Sequence, residues 1–233
     1  MASAEPAWPV AVLFDLDGTL IDSVPDLAAS VNILLAENGF APLSLDEVKS
    51  MVGHGLPKLV ERAFAARGLR PGPDELAAQC DRMVSIYDDH LTVLTTPMSG
   101  AGEVLERLHG RGMRLAVVTN KPQRAAETIL ERLGLARFIE TVVGGTDGMP
   151  KKPAPDMVLA AMKTCRATPE STVLVGDSAA DVQSAHAAGI AAIVVEGGYT
   201  KGPAADLGAD RLIASLNELD EVLGTFATGA GVA

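Results

Sequence analysis

Two carboxylates, Asp15 and Asp17, stand one residue apart in the stretch Val10 to Ser23, VAVLFDLDGTLIDS. Like charges this close repel, and one of the two holds its proton unless a cation joins them. Such crowding burdens a purely structural segment, although Asp and Gly also cap and bend ordinary turns. It suits chemistry that needs a nucleophile, an acid or a metal ligand. Three further polar sets follow at intervals: Thr119-Asn120, Lys151-Lys152, and Gly176-Asp177-Ser178 with Asp181 one turn on. Together they offer a nucleophile, oxygen ligands, neutral donors and a fixed positive charge. Phosphoryl transfer needs those parts, because its loose transition state leaves catalysis to positioning and charge stabilisation. Oxygen-only ligands suit Mg2+, which keeps several waters and takes one or two carboxylates plus a substrate phosphate. Asp15 and Asp177 are the natural candidates to hold it.

The elements that must position these residues are legible as an α/β pattern. Val10 to Phe14 is a continuous apolar run with β-branched members, the pattern of a strand buried on both faces of a parallel sheet. Asp15 and Asp17 then lie at its carboxyl end, where open α/β sheets place their ligand crevice. Arg114 to Val118, Thr141 to Val143, Thr172 to Val175, Ala191 to Val195 and Arg211 to Ile213 read as further strands, separated by helical segments. Counting the first, three of the strands end in polar residues: Asp15 and Asp17, Thr119 and Asn120, and Asp177 and Ser178.

The alternation breaks between Pro25 and about His90, where four helices follow one another without a strand. The first runs from Pro25 towards Glu37, with Asp22 or Ser23 as its cap and Gly39 as its stop. Ser44 and Glu47 form a capping box for the second. Gly53-His54-Gly55 breaks that helix, and Leu56 to Arg67 carries apolar residues at helical spacing. The fourth starts near Asp74. The expected fold is therefore a doubly wound, mainly parallel sheet (10–23 and 94–224) with an inserted helical-bundle cap (24–93). Disordered ends are expected at 1–9 and 225–233.

In this order and spacing, DLDGT at Asp15 to Thr19, Thr119-Asn120, KPAPD at Lys152 to Asp156 and GDSAAD at Gly176 to Asp181 resemble the haloacid dehalogenase superfamily of aspartate-nucleophile hydrolases. The likeness runs from about Val10 to Leu223. The resemblance implies that Asp15 is the nucleophile and Asp17 the general acid/base, with the Asp17 main-chain carbonyl also on Mg2+. It implies that Thr119 and Asn120 bind phosphoryl oxygens, that Lys152 neutralises them, that Asp177 ligates Mg2+ and that Asp181 supports the metal shell. Lys151 is expected to face solvent. DLDGTLIDSVPDLAASVN and VGHGLPKLVERAF are most similar to the bacterial phosphoglycolate phosphatase family. That likeness implies hydrolysis of 2-phosphoglycolate, with another small phosphomonoester such as a sugar phosphate as the alternative. The family often has Asn where His54 stands. A dehalogenase would not need an acid at Asp17, and phosphomutases of this cap type usually carry an apolar residue at the Thr19 position.

Composition narrows the partners. A chain of 233 residues, 48% hydrophobic, with a net charge of -11, can bury a core but has no basic stripe for nucleic acid or anionic membrane. A small phosphorylated metabolite fits better. No apolar run is long enough to span a bilayer, and Met1 to Pro9 lacks the apolar centre of a signal peptide. Cys80 and Cys165 are lone thiols in separate helices, as expected in a reducing cytoplasm. The four histidines show no metal-ligand spacing.

Several positions keep two readings. His54 either reaches the substrate from the cap or caps a helix between two glycines. Lys58 and Arg62, at i,i+4 on one face, either attract a carboxylate or form a solvated face. Asp22 and Ser23 read as helix caps, and Gly197-Gly198-Tyr199 as a plain turn. The rival class is a phosphorylatable receiver or binding module on a flavodoxin-like sheet, which explains neither the long insert nor Asp177 and Asp181. A nucleotide-binding module lacks its Gly-rich phosphate loop after the first strand.

Overall fold

The computed structural model describes residues 8–146, 148–200 and 202–227. In chain order its elements are β1 (Ala11–Phe14), β2 (Ile21–Asp22), α1 (Val24–Glu37), α2 (Leu45–Lys49), α3 (Leu56–Ala66), α4 (Pro73–Asp89) and β3 (Thr96–Pro97). Then come α5 (Ala101–Gly110), β4 (Arg114–Pro122), α6 (Gln123–Arg132), β5 (Thr141–Gly145), α7 (Asp156–Thr164) and β6 (Thr172–Gly176). The chain closes with α8 (Ala179–Ala187), β7 (Ala191–Val195), β8 (Arg211–Ile213) and α9 (Leu219–Ala227).

All four residues of β1 are buried, as an apolar strand covered on both faces must be. The main sheet is parallel, with the order β5-β4-β1-β6-β7-β8. Phe14 pairs in register with Val117 of β4 and Val175 of β6. The polar residues that follow these three strands therefore emerge at one edge. The chain leaves β1 in opposite directions to reach β4 and β6, so this edge is the topological switch point that opens a crevice.

One hydrophobic cluster runs from Val12 and Phe14 through Leu16, Leu20 and Ile21 into Leu27, Leu59, Phe64 and Met83 of the four-helix insert. A second cluster, including Met157, Val158, Leu174, Val182 and Val194, fills the other face of the sheet. Helical apolar spacing in α3 places Leu56, Leu59, Val60, Ala63 and Phe64 inside, and the Ser44–Glu47 capping box opens α2.

A two-stranded antiparallel ribbon, β2 with β3, joins the insert to the sheet. Beside it, fully buried Asp26 accepts from the Leu94 and Thr95 amides and from Thr95 Oγ1, the last two at 2.7 Å. Two-residue strands carry no periodicity, so the ribbon had no sequence signal.

Most of the ends expected to be disordered, 1–7 and 228–233, lie outside the described residues, which begin at Trp8 and end at Ala227. Trp8 stacks on Phe226 at 5.4 Å between centroids and donates from Nε1 to the Glu170 carbonyl, while α9 continues past Gly224. Among the described residues no helix is long and apolar enough to cross a membrane.

Candidate active site

The carboxyl edge of the sheet and the underside of the insert enclose a cavity of about 350 Å3. Asp15, Asp17, Thr119, Asn120, Lys152 and Asp177 line it from the sheet, and His54, Arg62 and Tyr87 from the insert.

Asp15 sits directly beyond β1. Its Oδ1 accepts from the Leu16 amide at 2.7 Å and pairs with Lys152 Nζ at 2.8 Å. Its Oδ2 makes no hydrogen bond among the described residues, so one oxygen is held and the other is open to the cavity. Burial pushes the Asp15 carboxyl up to about 7, with Lys152 pulling the other way and Asp181 adding to the rise. Lys152 is itself anchored, donating to the Val118 carbonyl at 2.7 Å and to Asp181 Oδ1 at 2.6 Å. Its carboxylate partners hold the buried ammonium charged, above the usual lysine range, against the effect of burial. Lys151 is exposed.

Asp177 and Asp181 differ in what they have left to offer. Asp181 Oδ2 accepts from the Ser178 amide, the Ser178 hydroxyl and, more weakly, the Asp177 amide, at 3.0, 2.6 and 3.3 Å. With Lys152 on Oδ1, both its oxygens are engaged. Asp177 Oδ2 accepts from the Tyr199 amide at 2.5 Å, whereas its Oδ1 has no hydrogen bond among the described residues. Burial, then the charges of Asp181 and Asp15, push the Asp177 carboxyl well above its ordinary range.

Oxygens of Asp15, Asp177 and Asp181 lie within 4.8 Å of one another. Three buried carboxylates with a single lysine among them, all hard oxygen donors, fit a divalent cation. Glycine shapes the same place. Gly18 has φ +85°, and a Cβ there would come within 2.5 Å of Asp177 Oδ2. A Cβ on Gly198 would overlap the Asp177 side chain outright.

Asp17 faces another way. Its Oδ1 accepts from Ser23 Oγ at 2.5 Å, and Lys121 Nζ contacts both its oxygens, at 2.9 and 3.2 Å. Ser23 is at the N-cap position of α1 but makes no side-chain cap bond; its hydroxyl serves Asp17. Asp22 does bond the Val24 amide, at 3.3 Å, and also accepts from the Tyr199 hydroxyl at 2.8 Å. The Gly197-Gly198-Tyr199 segment is thus no plain turn. Tyr199 links Asp177 to the ribbon, since its hydroxyl also accepts from the Ser23 amide at 2.8 Å. Burial raises that phenol, so it stays neutral and can donate.

The other expected positions divide. Thr119 is buried and lines the cavity. Asn120 lines it too, but its Nδ2 donates to the carbonyls of Lys152 at 3.0 Å and Gly53 at 3.2 Å, tying the lysine loop and the insert to β4. Its Oδ1 is buried without a partner among the described residues. Thr19 is fully buried and does not line the cavity. His54 is exposed at the cavity mouth, with Arg62 Nη1 at 3.4 Å from its Nδ1. Lys58 is exposed and pairs with Glu61 at 2.6 Å, away from the cavity lining.

Lys121 and Tyr87 were missed in the sequence. The alternation that would mark Lys121 is interrupted, because β4 runs to Pro122 with a register shift between Val118 and Pro122.

The model of the haloacid dehalogenase-like hydrolase family matches residues 12–195. The chain belongs to this family. Among haloacid dehalogenase-like hydrolases a divalent metal is general, and the carboxylate cluster could hold one here. The chain is 39% identical over 212 residues to the phosphoglycolate phosphatase of Cereibacter sphaeroides, covering 91% of this chain and 96% of that one. It is 40% identical over 220 residues to the phosphoglycolate phosphatase of Rhodospirillum rubrum, covering 93% and 91%. Among solved haloacid dehalogenase-like structures, a predicted phosphoglycolate phosphatase from Haemophilus somnus superposes with a TM-score of 0.86 at 29% identity, over 91% of this chain and 97% of that one.

Proposed function

We propose that the chain is a Mg2+-dependent phosphomonoester hydrolase that cleaves 2-phosphoglycolate to glycolate and phosphate through an aspartyl-phosphate on Asp15. The observation that carries the substrate is the pair of relatives named phosphoglycolate phosphatase, 39% and 40% identical over nearly the whole chain. The chemistry rests on a carboxylate with one oxygen held by Lys152 and the other open to the cavity.

In this reading Asp15 Oδ2 attacks phosphorus while Lys152 and Thr119 meet the phosphoryl oxygens. Asp17 gives a proton to the leaving oxygen and later takes one from the water that attacks the phosphoaspartate. Asp15, Asp177 and the main-chain carbonyl of Asp17 would hold Mg2+, with Asp181 supporting them. The cation supplies charge neutralisation between the carboxylates and the phosphoryl group. Asn120 serves by bracing the loop of Lys152 rather than through its amide nitrogen, which is already engaged. The insert excludes water and selects the substrate. Action in the cytoplasm belongs to the same reading, since free Cys80 and Cys165 suit a reducing compartment.

The test is kcat/KM over a panel of phosphomonoesters with Mg2+ present. Preference for 2-phosphoglycolate is expected. A sugar phosphate or phosphoserine that beats it tenfold, about 1.4 kcal/mol of transition-state binding, would overturn the substrate.

A further inference from the structure

The phosphoryl end of the proposed substrate is accounted for by Asp15, Lys152 and Thr119; its carboxylate is not. That group lies only two carbons from the ester oxygen, so it must be met close to Asp15. Four cationic or protonatable side chains among the described residues line the cavity: Lys152, Lys121, Arg62 and His54. Lys152 belongs to the phosphoryl end, beside Asp15 and Asp181. Arg62 and His54 project from the insert, and Arg62 donates to the Met51 carbonyl at 2.8 Å.

Lys121 is placed differently. It follows Thr119 by two residues in the irregular end of β4, and both line the cavity. Its ammonium is buried and held by Asp17. Tyr87 of α4 covers it, with the ammonium 4.8 Å from the ring centroid. Tyr87 is itself only 2% exposed and lines the cavity; its hydroxyl lies against the Lys121 ammonium, while its proton has no acceptor among the described residues. A buried O–H without an acceptor costs free energy unless a ligand supplies one. An ammonium and a phenol side by side form a site for a carboxylate.

Resting on the reading above, we infer that Lys121 and the Tyr87 hydroxyl bind the carboxylate of the substrate, which takes the place of Asp17 on Lys121. A substrate bearing a carboxylate then turns Asp17 loose towards the leaving oxygen, and one lacking it leaves Asp17 tied to Lys121. Selectivity for the carboxylate would thus arise where β4 meets α4 of the insert.

The experiment compares 2-phosphoglycolate with ethyl phosphate, which has a methyl group where the carboxylate stands. If the wild-type protein shows no preference between them, the substrate reading itself fails. Given that preference, Lys121→Met should lower the ratio of the two kcat/KM values by about 100-fold, as truncating one side of a buried charge pair does. Tyr87→Phe removes only the hydroxyl and should lower the ratio by about 3- to 10-fold, mainly through KM. Calorimetric binding of both esters to Asp15→Asn and to Asp15→Asn/Tyr87→Phe gives a readout free of turnover, and the preference for phosphoglycolate should shrink by the same factor. A ratio unchanged in Tyr87→Phe, or a Lys121→Met protein that loses both substrates equally, overturns the inference. So does a collapse of the ratio in Arg62→Met instead, which would place the carboxylate at α3.

Discussion

At the residue scale, Asp15 and Asp17 are chemically identical side chains made different by their neighbours. Asp15 is buried beside Lys152 with an oxygen to spare, and Asp17 is tied to Lys121 and Ser23. Asp15→Asn should abolish turnover, because an amide is a poor nucleophile. Asp17→Asn keeps the nucleophile and should lower turnover of alkyl phosphates by roughly 10² to 10⁴. With p-nitrophenyl phosphate the leaving group departs unaided, so this variant should give a burst of nitrophenolate and a phosphoprotein one phosphoryl group heavier by mass spectrometry. A folded Asp17→Asn protein with neither burst nor added mass would refute the acid/base role.

The same carboxyl carries a pH dependence. Burial raises Asp15 from 3.8 to about 7 in the cation-free protein, so the folded chain binds more protons than the unfolded one between those values. Stability from this group is therefore present below about pH 4 and is lost as pH rises towards 7. A divalent cation binds the ionised form and reverses the trend. The gain in Tm on adding Mg2+ should be small at pH 5 and larger at pH 8, as measured by thermal melts against EDTA controls. Equal gains at both values would mean that the cation does not sit on Asp15.

At the element scale, the site depends on turns that hold neighbouring strand ends together. The segment after β7 returns to β6 through Tyr199 and leaves no room for a side chain at Gly198. Gly198→Ala should displace Asp177 and raise the Mg2+ concentration for half-maximal activity by about tenfold or more, with the fold retained by circular dichroism. A variant that binds Mg2+ normally would show that the Asp177 carboxylate is not a ligand. Asp26 does comparable work for the ribbon that joins the insert, gathering the Leu94 and Thr95 amides and the Thr95 hydroxyl. Asp26→Ala leaves these buried donors unsatisfied and should cost about 3 kcal/mol in urea unfolding. A loss below about 1 kcal/mol would mean that the ribbon holds the linkers without it.

At the scale of the whole molecule, the sheet supplies the carboxylates of the cavity and the insert forms its roof. The shared hydrophobic cluster and the Asn120 bridge to Gly53 hold the two together over the cavity. His54, on the exposed loop between α2 and α3, belongs to the roof. His54→Ala should therefore change kcat/KM for 2-phosphoglycolate more than hydrolysis of p-nitrophenyl phosphate. Equal loss on both would assign His54 to the chemistry beneath.

What could be read from the chain alone was whatever depends on local order. The apolar runs of β1, β4 and β6, the break in alternation at Pro25, the Ser44–Glu47 capping box and the four spaced motifs all express backbone periodicity or short-range chemistry, so sequence spacing carries them. The partners of each functional group could not be read that way. That Ser23 serves Asp17 instead of capping α1, that Tyr199 joins Asp177 to the ribbon, and that Asn120 bridges two loops follow from approaches between residues far apart in the chain. Lys121 belongs with these, since the register shift in β4 breaks the alternation that would mark its face, and only packing brings Tyr87 over it and Asp17 against it. Periodicity decides which side of an element a residue occupies. Tertiary packing decides what it meets there, and hence which of two neighbouring aspartates keeps an oxygen open to the cavity and which is tied to Lys121 and Ser23.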